Sequence, residues 1–481
     1  MKHLCIVFVC GMSLLFMVST GWSAPEKPAH PSRLTYPSLQ WDIPDGTRYR
    51  DTLSNGLIAY IAADTALPLV HMSVFIRYGS LHDPADKSGL SYLTARLMRT
   101  GGTEAYPADS LDRRIDFIAM NTSFSAGETL LRFDFSFLSR FSDTALAIID
   151  QLLFHPVFDT KKIAEEKRIY ATTLQNRFQN PEPTLSAAYK KALYPGSPVS
   201  AFATQRSIDT ITRNDMVSLH DSIARTTNMI VAMAGDFSPA DMQARLSALF
   251  PADTGVFTPP DPAAFAPSPE HTCLIVHKPV SQAFVRMGIP MLRRPHEDYY
   301  DLSLLNMILG GNAFSSRLMS EIRSDRGLTY SIYSHAGSNY VYPSTFFIGF
   351  HCKPDNTQQV IELTRQEIRK LQQNLVDADE LSRAKDVLVK QLPSMFRSAK
   401  DVVNNYARSQ YYGRDDGHFM RYPQRLDSVS VYDIQRVARK YCPVDSLTCV
   451  IVGDTAQLLH NEFIQDLQPR ITDTDSLVSL P

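Results

Sequence analysis

Residues 310–334, GGNAFSSRLMSEIRSDRGLTYSIYS, set an arginine and a tyrosine, Arg323 and Tyr330, seven positions apart across a helix-to-strand junction. Positions 316–326 read as a helix with Leu318 and Ile322 on its apolar stripe, and Gly327 is a natural left-handed cap. Leu328, Tyr330 and Ile332 then alternate as one face of a strand. A chain reversal at Gly327 would bring guanidinium and phenol to one edge. Together they could hold a peptide backbone and steady negative charge developing on its carbonyl oxygen. The simpler alternative is that Arg323 and Arg326 complement the helix dipole while Tyr330 packs its ring. Gly310 and Gly311, following an apolar helix, read as a helix stop and a place where a substrate could approach closely.

Other chemistry is scarce. The chain contains no H-x-x-E-H, H-E-x-x-H or G-x-S-x-G, no P-loop, and no G-x-G-x-x-G after a strand. His271, Cys273 and His277 share a strand face, but Cys273 and His277 would lie about 13 Å apart, whereas zinc needs every ligand within about 2.3 Å. His82-Asp83 and His351-Cys352 are isolated pairs. The stretch SGLSYLTARLMRTGGT (88–103) is an amphipathic helix on Leu90, Leu93 and Leu97 that stops at Gly101-Gly102. Tyr92 and Arg96 stand one turn apart on it, where ligands or bases would be useful, yet it has no His, Asp, Glu or Cys.

The elements that must position these residues repeat. IDTITRNDMVSLH (208–220) aligns without gaps on LDSVSVYDIQRVA (426–438), and MIVAMAGD (229–236) on LTCVIVGD (447–454), both at an offset of 218. ARLMRTGG (95–102) and LLNMILGG (304–311) both close a helix on a glycine pair. RDTLSNGLIAYIAAD (50–64) reads as a hairpin turning at Asn55-Gly56, and LVHMSVFIRYGS (69–80) as the next strand. The fold class expected is therefore α+β: two homologous domains, 50–250 and 271–465, each a mainly antiparallel sheet with helices packed on one face. A proline-rich linker (251–270) should cross the surface between them, with an N-terminal extension (25–49) and a C-terminal tail (466–481).

Residues 1–24 combine a positive start, an apolar run from Leu4 to Val18 and small residues at Gly21, Ser23 and Ala24, the pattern of a cleaved secretory signal. The expected location is periplasmic or secreted, with no stable membrane span after cleavage. A net charge of −2 without basic blocks gives no reason to expect nucleic acid. Cys273, Cys352, Cys442 and Cys449 are too few for a disulfide scaffold; one bridge could form, and spacing does not pair them.

The run G-G-x-x-F-S-S-R-L…I-R-x-x-x-G-L-x-Y resembles the second-half signature of the pitrilysin/insulinase family, which includes the mitochondrial processing peptidases. These are inverted zincins with H-x-x-E-H on a first-half helix. LSNGLIAYIAADTALPLVHMSVFIRYGSLHD followed by SGLSYLTARLMRTGGT is similar to their front end, so the resemblance spans about residues 45–465. It implies that Tyr92 and Arg96 occupy the two zinc-histidine positions and Ala95 that of the general base. Thr173, seven residues after Glu166 in EKRIYATTL, occupies that of the third ligand. Arginine offers zinc no lone pair and alanine takes no proton. The resemblance thus implies a chain that holds no zinc and is inactive alone. It would serve as the substrate-binding subunit of a homologous zinc-bearing peptidase, with Arg323 and Tyr330 completing that partner's site around a peptide. The alternative is a peptide-binding or scaffold pseudopeptidase with no proteolytic role.

Overall fold

The computed structural model describes residues 41–253, 267, 273–313 and 315–477, and the compact body begins at Ile43. The first half forms a sheet from β1 (Arg50–Thr52), β2 (Ile58–Ala63), β3 (Leu69–Arg77), β4 (Asn121–Ala126), β5 (Leu130–Leu138) and β6 (Met229–Gly235). Its order is β1-β2-β6-β3-β5-β4, with β2 and β6 parallel and every other pairing antiparallel. The second-half sheet uses β7 (Cys273–His277), β8 (Ala283–Pro290), β9 (Thr329–Ala336), β10 (Thr345–Cys352), β11 (Thr448–Gly453) and β12 (Arg470–Asp473), ordered β12-β7-β11-β8-β10-β9. Central β6 and β11 are buried along their whole length, which explains the unbroken apolar runs that end in Gly-Asp.

Helices α1 (Leu90–Thr100), α2 (Ala108–Phe117), α3 (Ser142–Phe154), α4 (Thr160–Asn176), α5 (Pro181–Leu193), α6 (Gln205–Thr210), α7 (Arg213–Ile223) and α8 (Pro239–Leu249) belong to the first half. The second contributes α9 (Tyr299–Asn306), α10 (Thr357–Gln373), α11 (Ala378–Met395), α12 (Ala399–Tyr411), α13 (His418–Asp427) and α14 (Val431–Tyr441). The offset of 218 reaches further back than the sequence match. It relates α7 to α14 at both ends, α5 to α12 at both ends, and the first residue of α4 to that of α11. Even the caps repeat: Thr212 with Asp215 and Ser430 with Asp433 form equivalent capping boxes, while Asp159 and Asp377 each accept from backbone N–H groups of their helix.

Helices cover one face of each sheet, as expected. The other face is covered by a single helix from the opposite half. On α5, Leu185, Ala188 and Tyr189 pack on Leu274, Val276, Val450 and Val452 of the second sheet. Gly288 of β8 leaves room for that helix, since a Cβ there would sit 2.2 Å from the Tyr189 hydroxyl. Arg286 of β8, buried beneath α5, pairs with Glu182 at 2.6 Å. Reciprocally, α12 lies on β2, β6 and β3. There Tyr406 stacks on Tyr60 with ring centroids 6.2 Å apart, and Asn404 accepts from Arg132 at 3.2 Å.

Two boundaries move. Residues 43–49 are part of the body, because Pro44 accepts from the Tyr406 hydroxyl and Gly46 lies flush against the Tyr406 ring. Residues 470–473 are no loose tail: they form β12, which pairs parallel to β7. Most of the expected linker, and residues 1–24 with their signal-like pattern, lie outside the described residues. Among the described residues the four cysteines, Cys273, Cys352, Cys442 and Cys449, are buried free thiols, with Cys273 and Cys449 opposite each other on β7 and β11.

Because each sheet relies on the other half for one of its two covers, residues 43–253 expressed alone should fail to give a cooperative thermal transition. Co-expression with residues 254–481 should restore it. A fragment that melts cooperatively near the temperature of the whole chain would show that the exchange adds little stability.

Candidate functional site

Helix α1 is held at its start by a carboxylate from outside the helix. Asp83 accepts from the backbone N–H groups of Gly89 and Ser91, both at 3.0 Å, and from the Ser91 hydroxyl. Gly89 turns into the helix with φ +103°, a conformation that favours glycine. Leu93, Leu97 and Ala95 enter the first-half core, and Ala95 is only 1 % exposed. Tyr92 and Arg96 instead face α4, which runs antiparallel alongside.

Two matched contacts join these helices. The Tyr92 ring lies 4.2 Å, centroid to centroid, from Tyr170. One turn along, Arg96 sets Nη2 3.3 Å from Glu166 Oε1 and Nε 3.5 Å from Oε2, and the Thr100 hydroxyl donates to Oε1 at 3.0 Å. Glu166 is 5 % exposed, so this pair carries a carboxylate into the interior. Sequence reasoning passed over Glu166 and Tyr170 as partners. The signal was their own four-residue spacing, which matches that of Tyr92 and Arg96. Thr173 is exposed and donates to the Ile169 carbonyl of its own helix.

This donor set does not fit zinc. Arg96 is a permanent cation, and Glu166, the carboxylate facing α1 here, is engaged by Arg96 and Thr100. Among the described residues no group of three or more His, Cys, Asp or Glu side chains could hold a metal ion. Cys273 is buried in β7 while His277, at its exposed end, bonds to Thr455.

In the second half Arg323 and Tyr330 do come together. The expected helix is mostly a π-helical turn, Met319–Ser324, and it ends on Gly327 at φ +63°. The N–H of Leu328 reaches back to the Ile322 carbonyl at 3.1 Å and the N–H of Gly327 to that of Arg323 at 3.0 Å, closing the reversal. The Arg323 guanidinium then stands 5.1 Å from the Tyr330 ring centroid. Tyr330 falls where the β9–β10 register shifts, so its ring leaves the sheet and is 78 % exposed. Arg326 pairs with Glu321, whereas Arg323 has no carboxylate partner among the described residues. No hydrogen bond, ion pair or ring contact among the described residues links this pair to Tyr92, Arg96 or Thr173.

The glycine pair lies close against the chain itself. Gly310 lies in a second π-helical turn, Met307–Gly311, and a Cβ there would lie 2.4 Å from the Ser334 nitrogen of β9. A Cβ on Gly311 would meet Asn306 at 2.5 Å. Close approach is real, but the neighbours are the chain's own strand and helix. The two glycines seat β9, and so bear on the strand that presents Tyr330.

Comparison with known proteins agrees with this geometry. Residues 60–202 match the model of the insulinase family, peptidase family M16, and residues 210–388 match that of the peptidase M16 inactive domain. The chain belongs to peptidase family M16. A Bacillus subtilis relative named as an uncharacterised zinc protease, YmxG, is 22 % identical over 75 % of this chain and 87 % of its own. A Helicobacter pylori relative named as a non-peptidase homologue of YmxG is also 22 % identical, over 81 % and 90 %. Among solved structures, a peptidase M16 inactive domain from Pseudomonas fluorescens superposes with a TM-score of 0.74 at 22 % identity, covering 84 % of this chain and 97 % of its own. The two relatives' names differ on activity. For this M16 chain the residues decide: with Arg96 engaged in an ion pair and Ala95 buried, it is a non-catalytic member.

Replacing Arg96 by leucine strands a buried carboxylate. It should cost about 1–3 kcal/mol, toward the lower end because Arg96 is partly exposed. Adding Glu166→Gln should recover most of that loss. Denaturant unfolding across the double-mutant cycle measures the coupling; a value indistinguishable from zero would remove the ion pair as the link between α1 and α4.

The helix cap predicts a pH effect. Burial, opposed by its hydrogen bonds to Ser91 and Gly89, pushes the Asp83 carboxyl up from 3.8 to about 7. A raised folded-state value means that this group's contribution to stability is fully present below the unfolded value near 4. It is lost as pH rises through about 7. Asp83→Asn, which cannot ionise, should therefore lose less stability than wild type between pH 5 and pH 8. Parallel stability profiles for the two proteins would contradict this.

Proposed function

We propose that this M16 chain is the substrate-binding subunit of an exported zinc peptidase, and that it completes the active site of a homologous partner bearing H-x-x-E-H. The carrying observation is the pairing of a half-buried Arg323 with the exposed Tyr330; the packing of Tyr92, Ala95 and Arg96, which the resemblance sets at zinc-site positions, supports it. Were Arg323 only complementing its helix and Tyr330 only packing, the ring would be buried; it is largely in solvent. In the proposed complex the partner supplies the metal and the general base. Arg323 holds the peptide backbone, and the Tyr330 hydroxyl donates to the oxygen on which charge develops. The signal-like segment 1–24 supports an exported location, periplasmic or secreted. Among the described residues no helix is long and apolar enough to cross a membrane.

The test is co-purification from the native cell, identification of the bound chain, and kinetics of the complex. Tyr330→Phe keeps the ring and removes the hydroxyl, so kcat should fall by roughly a hundredfold, about 3 kcal/mol, with Tm little changed. Arg323→Lys keeps the charge but loses the planar fork and should raise KM as well. Wild-type turnover from the Tyr330→Phe complex would leave a peptide-binding or scaffold role in its place.

A further inference from the structure

A second group of cations lies away from the Arg323–Tyr330 pair, where the loop before α9, the β9–β10 loop and the end of the exchanged helix α12 meet. Arg294 is only 7 % exposed, yet it has no carboxylate partner among the described residues. Its guanidinium stands 3.5 Å from the Tyr299 ring centroid and 4.8 Å from that of Tyr340. One nitrogen donates to the Ser338 hydroxyl at 3.0 Å, while its buried Nε has no hydrogen-bond partner. Arg414, just past α12, shares the same tyrosine: its guanidinium is 4.6 Å from the Tyr340 ring and its Nε donates to the Tyr340 hydroxyl. Arg414 also lacks a carboxylate partner among the described residues.

The acids close by are committed elsewhere. Asp415 is held by Arg421, Asp416 accepts from Tyr60, and Asp298 is surrounded by Arg436, Lys440 and Tyr441. Burial, followed by the fields of Arg414 and Arg294, pushes the imidazole of His418 down to about 4, so at neutral pH it adds no positive charge. What remains is two fixed positive charges, one of them buried, flanking one tyrosine ring. Aromatic faces offset part of the desolvation of such cations but supply no counter-charge.

We propose that Arg294 and Arg414 form a recognition site for a dianionic oxyanion, of the phosphate or dicarboxylate kind. Two guanidiniums present planar donor forks suited to such oxygens, and a double negative charge matches theirs. Because Arg414 follows α12 directly while Arg294 and Tyr340 belong to second-half loops, an occupied site would tie the end of the exchanged helix to those loops. This inference stands independently of the proposed subunit role.

The experiment uses the full mature chain without any partner. Thermal unfolding and calorimetric titration are followed with inorganic phosphate, and separately with succinate, against chloride at constant ionic strength. At least one dianion should raise Tm saturably, and the two arms tell a tetrahedral oxyanion from a dicarboxylate. Arg414→Gln should weaken that binding about tenfold or more. In chloride it should be no less stable than wild type, since it relieves a like-charge contact. Arg293→Gln, an exposed neighbour, should bind as wild type does. Neither dianion outperforming chloride, or Arg414→Gln retaining the response, would overturn the proposal. So would Arg414→Gln losing the same stability in chloride as in the dianion, which would mark Arg414 as a packing cation only.

Discussion

Each sheet of this chain has two apolar faces, and each half has helices enough to cover only one of them. The reciprocal placement of α5 and α12 meets that constraint. Tyr189 lies over Gly288 in one direction, and Tyr406 stacks on Tyr60 in the other. Isolated halves would expose β6 and β11, both buried along their whole length, on the side that the exchanged helix now covers. The duplication is therefore one folding unit rather than two beads on a linker. It also accounts for the exact persistence of the 218-residue offset through α5, α7, α12 and α14. Changing the position of an exchanged helix in one half alone would mismatch it to the other half's sheet.

On that frame α1 and α4 of the first half are joined by side-chain contacts. At the positions that the family resemblance aligns with a metal site, this chain joins α1 and α4 through Arg96–Glu166 and Tyr92–Tyr170. A metal site needs several donors converging on one point; a salt bridge and a ring stack need only matched four-residue spacing on two antiparallel helices. The cost is a buried carboxylate that depends on a half-exposed arginine. Helix orientation survives because it was set by the apolar face, Leu93, Leu97 and Ala95, which sits in the core whatever the outer face does.

Much of this was readable from the sequence, for reasons that differ by element. Helix α1 was legible because Leu90, Leu93 and Leu97 mark its apolar face and Gly101 its stop, and the hairpin because Asn55-Gly56 specifies its turn, with Gly56 at φ +84°. The helix exchange was not: α5 and α12 look like ordinary amphipathic helices, and nothing local says whose sheet they cover. Strand β12 was missed because four residues, RITD, carry almost no pattern and gain their place by pairing with β7. The π-helical turns were missed because a single extra residue per turn leaves the hydrophobic spacing nearly unchanged.

Those π-turns are where fold and proposed chemistry meet. A π-turn widens the helix by one residue and shifts the direction of the side chains after it. In Met319–Ser324 this occurs at Arg323 itself, and in Met307–Gly311 it lets Gly310 press against Ser334 of β9. The first aims the guanidinium; the second seats the strand from which Tyr330 is displaced by the register shift opposite His351 and Cys352. Three local irregularities, each less regular than the helix or ladder it interrupts, converge on one cation–phenol pair whose phenol is exposed. An element kept only for packing would favour regular helix and ladder here. The concentration of irregular backbone around Arg323 and Tyr330 supports the role proposed for the pair.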